Sequence, residues 1–117
     1  MSELNLSTEE NTIVHTSEAG VITLVRQSGC YESITPESSL LVSSTRFQDG
    51  TIAENGANGT TLEGHLAIAF HRLNELNSKF HSPYNEAALT NIKQAIEQLE
   101  ARTADRVARG VDGQHVL

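Results

Sequence analysis

No tryptophan occurs in the 117 residues, and the aromatic set is only two tyrosines and three phenylalanines. So few large side chains make a broad, self-sufficient core doubtful, and small chains with thin cores usually assemble with copies of themselves. The single cysteine, Cys30, excludes an intrachain disulfide and fits a reducing compartment. No apolar run approaches the roughly 20 residues needed to span a bilayer, and no leader-type segment is recognisable; a cytoplasmic protein is expected. Bases are scarce as well. The formal charge is −7, which argues against long nucleic acids and anionic membranes as partners. The deficit is uneven: residues 1–60 carry eight acids and two bases, residues 61–117 seven acids and six bases. A small anionic ligand held by a few local arginines is not excluded.

What the sequence does contain is two apolar stripes between Thr60 and Gly110. Leu62, Leu66, Ala69, Leu73 and Leu76 alternate steps of four and three, and Leu89, Ile92, Ile96, Leu99 and Thr103 do the same in reverse order. Each set lies on one narrow helical face, the seam of a coiled-coil-like pair. The short connection from Ser78 to Ser82 folds the two helices back into an antiparallel hairpin. Thr60-Thr61-Leu62-Glu63 fits a capping box with Thr60 at its head. Ser82-Pro83 fits an N-cap followed by proline at the first helical position, with Glu86 in the positive first turn. Arg109-Gly110 fits a basic last turn closed by a left-handed glycine. The second helix is then close to ~40 Å long, at about 1.5 Å per residue.

The first half reads as a small sheet. A polar, acidic N-terminus, 1–11, is expected to be flexible. Residues 12–15 and 21–26 are β-prone, with Ser17-Glu18-Ala19-Gly20 as the turn between them. Gln27 to Ser39 is turn-rich, and its Tyr31 either covers an apolar surface or stacks on a ligand, covering being favoured. Leu40 to Phe47 reads as a third strand, and a sheet this small needs something to pack on. The expected organisation is therefore α+β: an N-terminal antiparallel β lobe over 12–50, a Gly/Asn-rich loop over 51–60, a helical hairpin over 61–110 and a tail over 111–117, in a homo-oligomer.

Catalytic constellations are missing. The five histidines (His15, His65, His71, His81, His115) lack metal-ligand spacing, so no metal and no cofactor is expected. No nucleophile elbow, phosphate-binding glycine loop or paired catalytic carboxylate is present. The feature that stands out is Arg102, Arg106 and Arg109, spaced by four and three so that three guanidinia share one strip of helix. Dipole compensation at a helix C-terminus, helped by Glu100 and Asp105, explains them without a ligand and leads on residue chemistry alone. Convergence of three forked donors on phosphate oxygens is the alternative. It takes the lead if symmetry gathers several strips together.

A longer pattern adds to this. Phe47-Gln48-Asp49-Gly50, Glu54 to Thr61, Leu66-Ala67-Ile68, Arg72-Leu73, Asn85-Glu86-Ala87, Arg102 to Arg106 and Arg109 to Gly113 together resemble the phage-encoded hairpin family that contains the anti-CBASS cyclic-nucleotide sponges and the Thoeris anti-defence sponges. The resemblance covers about residues 46–115, and the β-rich N-terminal extension is more similar to the Thoeris-directed branch. It implies a non-enzymatic oligomer, commonly a hexamer, that sequesters nucleotide immune signals in the host cytoplasm. Those signals include cyclic di- and trinucleotides and glycocyclic isomers of ADP-ribose. Carried over by position, Arg102, Arg106 and Gly110 match the cyclic-trinucleotide pocket, with Thr103 and Arg109 as accessories. Asn85 matches a separate ADP-ribose-isomer or dinucleotide pocket, where Arg46 is the candidate phosphate partner. The family's stacking aromatic aligns with Leu76 here, so Phe80, Phe70 or Phe47 has to substitute. A structural adaptor assembling through its hairpin is the competing reading, and an enzyme cleaving a cyclic nucleotide is disfavoured by the missing acid–base or metal cluster.

Overall fold

The computed structural model describes residues 5–37 and 40–110. The tail over 111–117, the first four residues of the N-terminal segment and Ser38-Ser39 lie outside the described residues. The chain divides between Asp49 and Gly50 into two compact units, one of strands and one of helices.

The first unit is a four-stranded antiparallel meander: β1 (Ile13–Thr16), β2 (Ile22–Gln27), β3 (Cys30–Ile34) and β4 (Leu41–Arg46), paired in chain order. The β1–β2 turn forms at Ser17 to Val21 as expected. Ser17 and Val21 are joined through backbone and hydroxyl, and Gly20 takes φ +87°. The expectation of three strands is corrected by β3, which occupies the stretch read as turns. Ser28-Gly29 is a two-residue reversal with Gly29 at φ +82°, a conformation that glycine adopts without a Cβ clash. Ser33 and Glu32 of β3 are satisfied across the strand pair. The Thr23 and Ser33 hydroxyls lie 2.7 Å apart, and Arg26 Nε donates to Glu32 Oε1 at 2.7 Å. Polar cross-strand pairs of this kind hold a strand that has little apolar patterning.

Val25, in the central strand β2, is 2% exposed and is the best-buried residue of this unit among those described. Asn11, at the end of the N-terminal segment, is tied to β2. Asn11 N donates to Val25 O at 2.6 Å, and Arg26 Nη1 donates to Asn11 Oδ1. Tyr31 covers Phe47 edge-on, with ring centroids 5.8 Å apart at 80°, a favoured aromatic geometry.

The second unit holds a single turn α1 (Ile52–Asn55), then α2 (Leu62–Lys79) and α3 (Pro83–Ala108). Within the stretch expected to be loop, α1 forms because Thr51 accepts from Glu54 N as an N-cap. The N-cap of α2 is Thr61, not Thr60: its side chain accepts from Gly64 N. With the cap moved on by one, Gly64 occupies the third helical position and Glu63 the second, so the reciprocal arm of a capping box does not form. Ser82 caps α3 through Tyr84 N and Asn85 N, with Pro83 first, Glu86 in the first turn and Gly110 left-handed at φ +73°. These four agree with the sequence reading.

The two helices pack on each other across a connection of three residues, Phe80 to Ser82. On α3 all five expected seam positions are sheltered, Leu89 most (7% exposed), with Ile92, Ile96, Leu99 and Thr103 half-buried. On α2 the inward row is Leu66, Phe70, Leu73 and Leu76, while Ala69 and Leu62 are exposed. Phe70 takes the place expected for Ala69. Both steps from Leu66 fit a helix, and the larger side chain gains more by burial. Leu73, Phe70 and Leu66 lie as many residues before the connection as Leu89, Ile92 and Ile96 lie after it.

Leu89→Ala removes the best-buried side chain of this seam. It is expected to cost about 2–4 kcal/mol, read as a lower denaturation midpoint at fixed protein concentration, whereas Ala69→Ser is expected to leave the midpoint within about 0.5 kcal/mol of the parent.

Candidate functional site

The candidate residues fall into groups set by where the helices begin and end. At the hairpin connection, Asn77 is buried (7% exposed) in the last turn of α2. Its Nδ2 donates to Glu86 Oε1 at 2.9 Å, and its Oδ1 accepts from Ser82 N at 3.1 Å. The same Glu86 oxygen lies 2.9 Å from His81 Nε2. Asn85 is half-buried, and its Nδ2 donates to Phe80 O at 3.2 Å. One amide from each helix thus pins the three-residue reversal, and no buried side-chain nitrogen or oxygen is left unsatisfied among the described residues.

That polar frame leaves two aromatic rings outside it. Phe80 is 73% exposed and Tyr84 is 86% exposed. Of the aromatics proposed from sequence, Phe80 therefore stands beside Asn85, whereas Phe70 lies ten residues earlier, about 15 Å along α2, with its ring in the seam row. Tyr84 was not singled out from sequence. It directly follows Pro83, and a ring in the first turn of a helix on the side away from the partner is held outward by the same cap that starts the helix. The signal available was its place one residue before Asn85. Arg46 and Phe47 belong to the strand unit: Arg46 closes β4 as an exposed partner of Cys30, and Phe47 N donates to Gly29 O at 2.8 Å while its ring meets Tyr31.

The arginines occupy the opposite end of α3. From Asn85 to Arg106 is 21 residues, about 31 Å of helix. α3 has 26 residues and α2 has 18, so α3 is longer by eight residues, about 12 Å. Arg102, Thr103 and Arg106 lie in the last two turns of α3, with Arg109 as its C-cap and Gly110 just beyond. Arg109 Nε pairs with Asp105 Oδ2 at 3.0 Å, one turn back, and its backbone N–H caps the helix on Asp105 O. This exposed pair absorbs one of the three charges and contributes little stability. Thr103 Oγ1 donates to Leu99 O at 3.3 Å, so its hydroxyl is engaged by its own helix. Arg106 is half-buried and already engaged. Arg102 is exposed and makes no side-chain hydrogen bond or ion pair among the described residues. Of the three guanidinia, Arg102 is the one whose donors are open.

Among the described residues no group of three or more His, Cys, Asp or Glu could hold a metal ion, and no helix is long and apolar enough to cross a membrane. The two ends present different groups: planar cationic donors at one, exposed rings and an amide at the other.

The family described as Acb2/Tad1, hairpin domain, matches residues 42–104. That span runs from β4 through α2 and α3 as far as Arg102 and Thr103. A protein named Thoeris anti-defense 1, from Bacillus phage SBSphiJ7, is 39% identical over 75 residues. The alignment covers 63% of this chain and 53% of that protein, so this chain spans about half the length of the relative.

Asn77→Ala strips the connection of both its amide bonds and leaves the Ser82 N–H without its side-chain acceptor. A loss of about 1–3 kcal/mol is expected, measured by urea unfolding. Asn85→Ala, which removes a single bond near the surface, is expected to lose about 1 kcal/mol or less.

Proposed function

Because the chain belongs to the Acb2/Tad1 hairpin family, whose domain spans just over half of it, we propose that it is a phage anti-defence protein acting inside the host cell, and that it works by binding nucleotide immune signals without cleaving them. The observation that carries this reading is Arg102: an open guanidinium in the last two turns of α3, which also hold Arg106 and end at Arg109, in a chain of net charge −7. An arginine strip of this kind needs no ligand in one chain. Brought together around a symmetry axis, several strips repel, and a phosphate-bearing ligand relieves the repulsion with charge-assisted, bidentate bonds. The acidic remainder of the chain then disfavours long polyanions and leaves small ones.

In this proposal the protein is a homo-oligomer, a hexamer in the first instance, and a cyclic trinucleotide is held by Arg102 and Arg106 with Thr103, Arg109 and Gly110 around it. The hairpin connection is the second site, where an ADP-ribose isomer or a cyclic dinucleotide is held. There Asn85 is the polar contact, and the stacking ring is Phe80 or Tyr84, both exposed beside it. The name Thoeris anti-defense 1 on a 39% identical phage protein supports the ADP-ribose-isomer branch. Exposed Ile68 (66%), Leu62 and Val107 on the hairpin suit assembly between copies. They equally suit an adaptor that binds another protein, which is the second reading.

The test is size exclusion with light scattering on the purified chain, with each of a panel of cyclic trinucleotides, cyclic dinucleotides and ADP-ribose isomers, and free ligand assayed in the filtrate. The expected result is an oligomer that depletes at least one nucleotide and returns it unaltered on heating. Trinucleotide depletion should fall at least about tenfold in the Arg102→Ala/Arg106→Ala double variant, in line with losing two charge-assisted contacts. Depletion at the connection should fall in Asn85→Ala. An oligomer that leaves every nucleotide free would favour the adaptor, and a ligand returned chemically changed would favour an enzyme.

A further inference from the structure

The strand unit is a single sheet with two edge strands, β1 and β4. Alternate residues of an edge strand aim their N–H and C=O groups away from the neighbouring strand, so each edge offers a template on which another strand can pair. Short length, irregular register and nearby charge discourage such pairing. The two edges differ in how much of this protection they have.

At β1 it is present. The strand has four residues, its register shifts between Ile13 and His15, and exposed Glu9, Glu10 and Glu18 flank it. At β4 it is largely missing. That strand has six residues, with one irregularity at its Leu41 end and Ser43 to Arg46 in unbroken register with β3. Five of the six are exposed, none is acidic, and Arg46 at the very end is the one charge among them. Leu40, Leu41 and Val42 are 60%, 50% and 52% exposed. Among the described residues, Leu41–Arg46 make no hydrogen bond beyond the pairing with β3.

We propose that β4 is a contact between two copies of this chain, which pair edge to edge and antiparallel about a two-fold axis to make one continuous sheet. An antiparallel edge is self-complementary, since each copy gives the other the donors and acceptors it receives. Charge selects this pairing over the other edge contacts two copies could make. Residues 1–60 carry eight acids and two bases, and β1 against β1 would set Glu9, Glu10 and Glu18 against their own copies. With the axis at Ser44, β4 meets β4 hydroxyl to hydroxyl: Ser44 lies against itself and Ser43 against Thr45, with the two Arg46 side chains at opposite ends beside Val42. Cross-strand hydroxyl pairs of this kind are favourable. The outer edges of the joined sheet are then two β1 strands, so growth stops at two. A contact about 20 Å long and one strand wide falls short of the roughly 1,200 Å² of a stable interface. It therefore works beside contacts between hairpins, and rests on the homo-oligomer proposed above.

The test puts one charge on the axis. Ser44→Lys, Ser44→Glu and, at the opposite edge, His15→Lys are purified as full chains, and their weight-average mass is read by light scattering at the parent's concentration. Like charges directly opposite one another are destabilising. Ser44→Lys and Ser44→Glu are each expected to lower the mass by about twofold, since a two-fold contact joins copies in pairs. His15→Lys is expected to match the parent. An equimolar mixture of Ser44→Lys and Ser44→Glu is expected to recover the parent mass, because each lysine then meets a glutamate; a misfolded variant would not recover. A mixture that stays small would assign the edge to a strand from another protein and overturn the proposal. An oligomeric parent whose mass Ser44→Lys leaves unchanged would overturn it too, with the hairpin assembly left standing. A parent that is monomeric throughout would overturn both.

Discussion

The buried side-chain amide of Asn77 is the constraint on which the helical unit turns. A three-residue reversal between two helices exposes backbone donors and acceptors that neither helix can satisfy for itself. Asn77 answers this with one group, accepting from Ser82 N and donating to the Glu86 carboxylate. Those bonds set which residue of α2 lies opposite which residue of α3. Leu73, Phe70 and Leu66 stand as far before the connection as Leu89, Ile92 and Ile96 stand after it, and all six are buried or half-buried. A slip by one residue at the connection would rotate apolar side chains out of the seam along its whole length. The longer helix α3 carries Arg102 in its last two turns, where its side chain is exposed.

Much of this was legible in the chain. The α3 seam, the Ser82-Pro83 start and the Gly110 stop were all readable, because each rests on a local rule that needs no tertiary partner. The α2 seam was less so. Ala69 and Phe70 are adjacent, both fit a step of three or four, and only the position of α3 selects Phe70. The Thr60-Thr61 ambiguity is of the same kind, since either hydroxyl can cap and it is Thr61 that accepts from Gly64 N. Strand β3 escaped because Cys30-Tyr31-Glu32-Ser33-Ile34 has no alternation of apolar and polar residues. Its stability comes from polar partners on β2, Thr23 and Arg26, that sequence spacing does not reveal; the Ser28-Gly29 pair was the available sign. At the candidate site, the arginine strip could be seen from spacing alone. The Arg109–Asp105 pair, four residues apart on one helix, was legible in the same way. That Phe70 is committed to the seam and that Tyr84 is open could not be read, because each depends on which side of a helix the neighbour lies.

The two ends of α3 are built from different materials. At the connection, order comes from buried polar groups, with the rings of Phe80 and Tyr84 displaced outward by the frame itself. At the far end, order comes from the helix's own backbone, the Asp105–Arg109 pair and the left-handed glycine.

The two ends of α3 therefore differ in what opening them costs: the end at the connection is tied to α2 through Asn77, whereas the last turn of a helix frays most readily. Any anion that gathers the guanidinia there also stitches successive turns together, because Arg102, Arg106 and Arg109 come from different turns. Part of its binding free energy is then spent on ordering the tip, and the tip's protection from amide exchange becomes a direct gauge of occupancy.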